Sequence, residues 1–423
     1  MADPNLKEIL DCFWKYLPEK LDDQFLGVAD DARLLLNECL AALNSNDTSF
    51  SEIISDLQAV IDFTWEKLNT GHWKDVPTVE RRVYALASLL KIFSILKKAL
   101  EIEEKEVIKM LLKESLKTAD MGLLLGSAFR NELTHIASVL SSALDGGTST
   151  LVSGNIELED AIRDLEKTYK NKISCKSLFI LECPSLEYFH LHHFKKSLPV
   201  KMTGCMSHWP ALKKWGNLSY FRQLAGSRTV PVELGSNYLE SDWSQKLMTL
   251  NNFIDQYIKA NCGEPSFRNS KSSIAYLAQH QLFDQIPELR GDIFEPEYCC
   301  LTESPELEPE ETDINAWFGP EGTVSPLHFD PKHNLLSQVV GRKRVILFSP
   351  EDNAKLYPHE GNLVSNSAQV DPENPDFDKF PEFQRAEGFE CILNPGEMLY
   401  IPPKWWHHVR AFSVSFSVSF WWK

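Results

Sequence analysis

The chain has 423 residues, 43% of them hydrophobic and 11% aromatic, which excludes a disordered or low-complexity protein and leaves room for two or three domains. A formal net charge of -17 disfavours binding to nucleic acid or to an anionic membrane face, and tolerates basic ligands such as arginine- or lysine-rich peptides. Nine scattered cysteines with no Cys-x-x-Cys argue against a disulfide framework or a zinc–cysteine site and for a reducing compartment.

The start, MADPNLKEILD, is charged and lacks the apolar stretch of a signal peptide, and no apolar run approaches the roughly 18 residues of a spanning helix. Residues 1–143 read as a helical domain. Phe25, Val28, Ala29, Ala32, Leu35, Leu36, Cys39 and Leu40 follow a three–four spacing, and Leu86, Leu89, Leu90, Phe93 and Leu96 form a second stripe. Ser49-x-x-Glu52 ahead of Ile53 predicts a capping-box start. The stripes are most simply core faces, with a partner-binding groove of stacked helices as the alternative. Residues 144–175 read as a linker, from Asp145-Gly146-Gly147, and a polar helix over 156–170.

Residues 176–423 have a different texture. Short β-type runs at 177–180, 199–202 and 229–234 alternate with Pro and Gly, as in an antiparallel sandwich or barrel, so the whole chain reads as α+β. Glu303–Glu311 and Asp371–Pro381 read as acidic, proline-broken loops. Residues 335–340 and 343–348 are predicted to pair as a hairpin about Gly341-Arg342. Asn394-Pro395-Gly396 predicts a turn before a strand at 398–401. From Phe412 to Phe420, bulky apolar residues alternate with Ser413, Ser415, Ser417 and Ser419, which marks a strand whose serine face either lines a cavity or meets solvent.

His328 and Asp330 stand two apart between Pro326 and Pro331, so an extended backbone points both to one side. With a third ligand from His407, or from its neighbour His408, they make two imidazoles and one carboxylate. Such a set binds one face of iron(II) and leaves three octahedral positions open, although it also suits zinc. A 2-oxo acid fills two of those positions and dioxygen the third. Lys343 lies in phase to reach the same cavity and neutralise a distal carboxylate; the alternative is a surface lysine on an edge strand.

These residues sit within longer motifs: Ile314–Pro320, Ser325-Pro326-Leu327-His328-x-Asp330-Pro331-x-x-Asn334, Gly341-Arg342-Lys343, Pro395-Gly396-Glu397 to Ile401-Pro402, and Trp406-His407. With Tyr276–His280 and Ser415–Trp422 they closely resemble JmjC-domain 2-oxoglutarate oxygenases over residues 175–423, and in particular a branch described as arginyl hydroxylase and histone peptidase. The resemblance implies a double-stranded β-helix (a cupin-like jelly roll) using iron(II), 2-oxoglutarate and O2. It implies His328, Asp330 and His407 as iron ligands; Tyr276, Ser325 and Lys343 around the distal carboxylate of 2-oxoglutarate; and Asn334 and Trp421 lining its pocket. Glu233, Trp243 and Trp317 match substrate-pocket positions, where a carboxylate and indole faces suit a guanidinium; otherwise Glu233 is a solvated strand residue and the tryptophans are core. The implied reaction is hydroxylation of arginine at C3 in protein substrates, histone tails among them, in the nucleus with the cytoplasm as a second location. Lysine demethylation shares the iron site. Arginine-directed peptidase activity and a non-catalytic chromatin-binding role are the further alternatives.

Overall fold

The computed structural model describes residues 27–44, 49–70, 76–145, 173–235, 237–259, 274–303, 311–361 and 364–423, together with Leu10, Leu21 and Phe25. The predicted helix over 156–170, the linker from 146 and the acidic stretch 304–310 lie outside them.

Among the described residues five helices with set bounds precede the strands: α1 (Asp30–Asn44), α2 (Phe50–Leu68), α3 (Thr78–Leu100), α4 (Lys105–Leu125) and α5 (Arg130–Asp145). The expected apolar face of α1 is buried at Ala32, Leu36, Cys39 and Leu40, while Ala29 and Leu35 are half-buried. Helix α3 is apolar nearly all round because it is the central one. Leu86 and Leu90 pack into a core with α1 and α2, and Leu89, Phe93 and Leu96 into a second core with α4 and α5. Ser49 does stand at the N-cap of α2, but its side chain makes no capping hydrogen bond, so the predicted capping box does not form.

Fourteen strands follow among the described residues. The first six are β1 (Cys175–Ser177), β2 (Ile180–Glu182), β3 (Val200–Thr203), β4 (Thr229–Leu234), β5 (Ser244–Thr249) and β6 (Ala275–His280). The other eight are β7 (Asp313–Gly319), β8 (Val324–Phe329), β9 (His333–Val340), β10 (Lys343–Phe348), β11 (Gly388–Leu393), β12 (Met398–Ile401), β13 (Trp406–Ala411) and β14 (Ser415–Trp422). They build a nine-stranded sheet in the order β2-β3-β12-β9-β14-β7-β6-β4-β5 and a five-stranded sheet in the order β1-β11-β10-β13-β8. The eight strands from β7 to β14 divide four and four between the two layers, as in a double-stranded β-helix.

The hairpin expected at Gly341-Arg342 does not form. β9 lies between β12 and β14 in the large sheet, whereas β10 lies between β11 and β13 in the small one. Both strands are buried along their whole length, so each needs neighbours on both edges and a layer over it, which a two-stranded ribbon cannot supply. Gly341, at φ +73°, makes the corner between the sheets; the Val414 carbonyl oxygen occupies the space a Cβ would need.

The alternating strand begins at Ser415 rather than at Phe412. Phe416, Val418 and Phe420 pack outward against the covering aromatics, with Phe416 4.5 Å from Trp215 and Phe420 5.8 Å from Trp209, ring to ring. The serine face is buried inside the barrel and does not meet solvent. Ser417 donates to Gln338 at 2.7 Å, and Ser419 accepts from the Trp317 indole at 2.8 Å.

Helical and β regions are joined through a fully buried carboxylate. Asp120 of α4 accepts from Arg228 Nε at 2.9 Å, from the Gln285 amide at 2.8 Å and from the Thr229 backbone N–H at 2.6 Å. Asp145, at the end of α5, accepts from the Ser227 hydroxyl at 2.6 Å and its backbone N–H at 3.0 Å. Both contacts grip the turn that leads into β4.

Candidate metal and co-substrate site

The site lies between the two sheets. On β13, His407, Val409 and Ala411 share the inner face while His408 and Arg410 point away. Antiparallel pairing sets His407 opposite His328 and Val409 opposite Ser325, so three steps on β8 match two on β13. This bulge, at Pro326-Leu327, turns Ser325 to the same side as His328, which simple alternation would forbid.

The structure brings His328, Asp330 and His407 together with their donor atoms within 4.8 Å of one another. His328 Nε2 is 4.0 Å from one Asp330 oxygen and His407 Nε2 is 3.5 Å from the other. Each histidine directs Nδ1 at a backbone carbonyl, His328 at Pro326 O (2.6 Å) and His407 at Trp405 O (3.0 Å). A carbonyl only accepts, so both Nδ1 atoms carry the proton and both Nε2 lone pairs converge on the centre. Burial, reinforced by His407, pushes the His328 pKa down to about 4, so its imidazole is neutral at pH 7. Burial pushes the Asp330 carboxyl up, but His407 and His328 outweigh it and hold it below the ordinary carboxylate range. One Asp330 oxygen is buried with no hydrogen-bond donor. Two imidazole Nε2 atoms and a carboxylate held in its charged form, one of whose oxygens is buried without a hydrogen-bond partner, fit a divalent cation.

His408 takes no part. It lies on the outer face with Asp371 and Glu373, where Glu373 accepts from Arg410 at 2.5 Å and from Arg344 at 3.2 Å. Burial and those two guanidinium groups push the His408 pKa down to about 3. The arginines already neutralise Glu373, so this cluster is a structural ion network.

Lys343 is buried rather than on a surface edge, at 1% exposure, and its Nζ donates to the Tyr276 hydroxyl at 3.1 Å. Burial pushes its pKa down to about 7, and among the described residues it has no carboxylate partner. Ser325 hydrogen-bonds Tyr276, and burial raises the Tyr276 phenol above its usual range. Asn334 and Trp421 face each other across β9 and β14, with the Asn334 Oδ1 and Trp421 Nε1 atoms buried and unpartnered. These residues and the three donors line one cavity. An unpaired ammonium beside orphaned polar atoms fits a small anionic molecule with further polar groups.

Of the three predicted substrate residues, Trp317 lines the cavity, whereas Glu233 and Trp243 are not among its lining residues. Glu233 on β4 pairs with Tyr276 on β6, and Trp317 lies 6.0 Å from the Tyr276 ring. Trp243 is partly exposed and hydrogen-bonds Glu233. Gly235 permits this fold-over, since a Cβ there would stand 2.9 Å from the Asp242 carbonyl oxygen. Burial raises the Glu233 carboxyl above its usual pKa, against the Trp243 hydrogen bond, and among the described residues it has no cationic partner. The structure also places Tyr238 here, edge-on to His328 at 6.3 Å, with its hydroxyl 3.1 Å from Ser367. Neither Tyr238 nor Ser367 is marked in the sequence, because both lie in segments that carry no period.

Residues 186–423 match the family described as "Cupin-like domain". The chain is similar along nearly its whole length to "Lysine-specific demethylase 8" of Danio rerio, 41% identical with 96% of this chain and 97% of that protein covered. It is also similar to "Jumonji C domain-containing protein 5" of Drosophila melanogaster, at 40% identity over 93% and 94% of the two chains. "Lysine-specific demethylase 8" of Xenopus tropicalis is 40% identical over 86% and 87%. Among the described residues no helix is long and apolar enough to cross a membrane.

Proposed function

Because this chain belongs to the cupin-like JmjC family of iron(II)- and 2-oxoglutarate-dependent oxygenases, we propose that it hydroxylates protein arginine side chains at C3 in the nucleus. With dioxygen, iron(II) and 2-oxoglutarate supply an oxidant strong enough for an unactivated C–H bond, the co-substrate leaving as succinate and carbon dioxide. His328, Asp330 and His407 would hold the iron. Lys343, Tyr276 and Ser325 would hold the distal carboxylate of 2-oxoglutarate, with Asn334 and Trp421 lining its pocket. The protein's own part is to bind, orient and exclude water.

The observation that carries the arginine reading is Glu233: a desolvated carboxylate paired across the sheet with Tyr276 and hydrogen-bonded to the Trp243 indole, with no cation of its own among the described residues. A guanidinium supplies the missing charge in a planar form that indoles can cover. Glu233→Gln is expected to lower kcat/KM for arginine peptides by about 10- to 100-fold, the range of a charge-assisted hydrogen bond. Succinate formation without peptide should change less than twofold. Equal losses with and without peptide would remove Glu233 from substrate binding.

The names of the relatives favour a second reading, removal of methyl groups from lysine. It requires formaldehyde from methyl-lysine peptides, and a formaldehyde assay decides between the two.

Lys343 makes co-substrate binding depend on pH. A pKa of about 7 in the empty pocket leaves the amine neutral above that value, whereas a bound carboxylate needs the ammonium. The Kd for 2-oxoglutarate should therefore be flat below pH 7 and rise about tenfold per pH unit above it. In Lys343→Met, calorimetry should show a higher Kd without that slope.

A further inference from the structure

On the inner face of the large sheet a second, polar cleft of about 350 Å³ adjoins the site across Trp421, which lines both. Its far wall is the helical region, with Leu123 and Leu124 at the end of α4 and Arg130 at the start of α5. Two observations mark it as built for a ligand. Asn315 on β7 is 4% exposed, lines the cleft on the same face as Trp317, and among the described residues its side-chain amide has no hydrogen-bond partner. Gln279 ends a bulge in β6, between the pairs Leu277–Phe318 and His280–Ala316, and takes a left-handed backbone at φ +45° that turns it into the cleft. Bulges and strained backbone of this kind persist where a side chain has to be re-aimed. Gln281 and Arg130 are exposed beside them, and Arg130 spends one donor on the Leu123 carbonyl at 3.2 Å.

We propose that this cleft is a subsite for the polypeptide flanking the oxidised residue, an inference that rests on the reading of the site as a protein hydroxylase. The amides of Gln279, Gln281 and Asn315 each offer a donor and an acceptor, as a peptide group requires. Arg130 adds a cation for an acidic side chain of the substrate. Its polar lining differs from the predominantly apolar lining usual for small-molecule pockets. The helical region thereby forms part of the substrate surface, and substrate selection extends beyond the target residue.

The test compares a fluorescent peptide of about 20 residues, long enough to span roughly 60 Å when extended, with its arginine-centred core of about seven. The longer one carries acidic residues on both flanks. Fluorescence anisotropy with the full chain should give a Kd at least about fivefold lower for the long peptide than for the core, the size of one or two net hydrogen bonds. In Arg130→Glu and Gln281→Ala, both at exposed positions, that preference should shrink towards one. Equal affinity for the two peptides in the wild type, or an unchanged preference in both variants, overturns the proposal. If the preference holds while neither peptide is oxidised, the subsite stands and the arginine reading fails. Oxidation without any length dependence gives the reverse.

Discussion

Asp330→Ala is expected to lower iron-dependent 2-oxoglutarate turnover by at least about 100-fold, since outer-shell partners of metal ligands alone cost 10- to 100-fold. The loss should appear together with loss of bound iron and without loss of fold. One oxygen of the Asp330 side chain is buried and unpartnered, its neighbours are the two histidines, and it follows β8 rather than lying within it. Succinate release, metal content and circular dichroism on the same preparation separate the two effects. The same loss from His408→Ala, with iron retained by Asp330→Ala, would move the metal to the outer face.

Asp120→Ala should act on stability. The pair it forms with Arg228 is fully buried on both sides at 2.8 Å, and the same carboxylate holds the N–H of Thr229 at the start of β4. Removing one partner leaves a guanidinium uncompensated in the interior, which costs about 3–5 kcal/mol. Urea unfolding of the full chain should show that loss, and Asp120→Ala combined with Arg228→Met should recover a large part of it. Because β4 carries Glu233, and β6 beside it carries Tyr276, the single variant should also weaken substrate and co-substrate binding at temperatures where it remains folded. A loss below about 1 kcal/mol would mean that the helical region docks without this contact.

What could be read in advance follows from which regularities are local. His328 and Asp330 were legible because two-residue spacing on an extended strand fixes a shared face. The helical stripes were legible for the same reason, at their own period. The phase of Ser325 against His328 was not, because it depends on a bulge opposite β13 that no local pattern announces. Gly341 marked a turn correctly but could not say which sheet the next strand would join; burial on all sides of β9 and β10 decides that. The serine stripe had a definite period and an undefined environment until the small sheet covered it. The Asp120–Arg228 contact links residues 108 apart, and neither residue stands in a motif. Tyr238 and Ser367 reach the site from loops, through tertiary packing alone.

The proposed reaction places one oxygen atom on an arginine side chain and depends on iron(II) and 2-oxoglutarate. The most direct measurement is tandem mass spectrometry of an arginine peptide incubated with the full chain, iron(II), 2-oxoglutarate and 18O2. The expected product carries one added 18O at C3 of arginine and is absent when iron or 2-oxoglutarate is withheld or when Asp330→Ala replaces the wild type. An unmodified arginine peptide together with formaldehyde from a methyl-lysine peptide would contradict it.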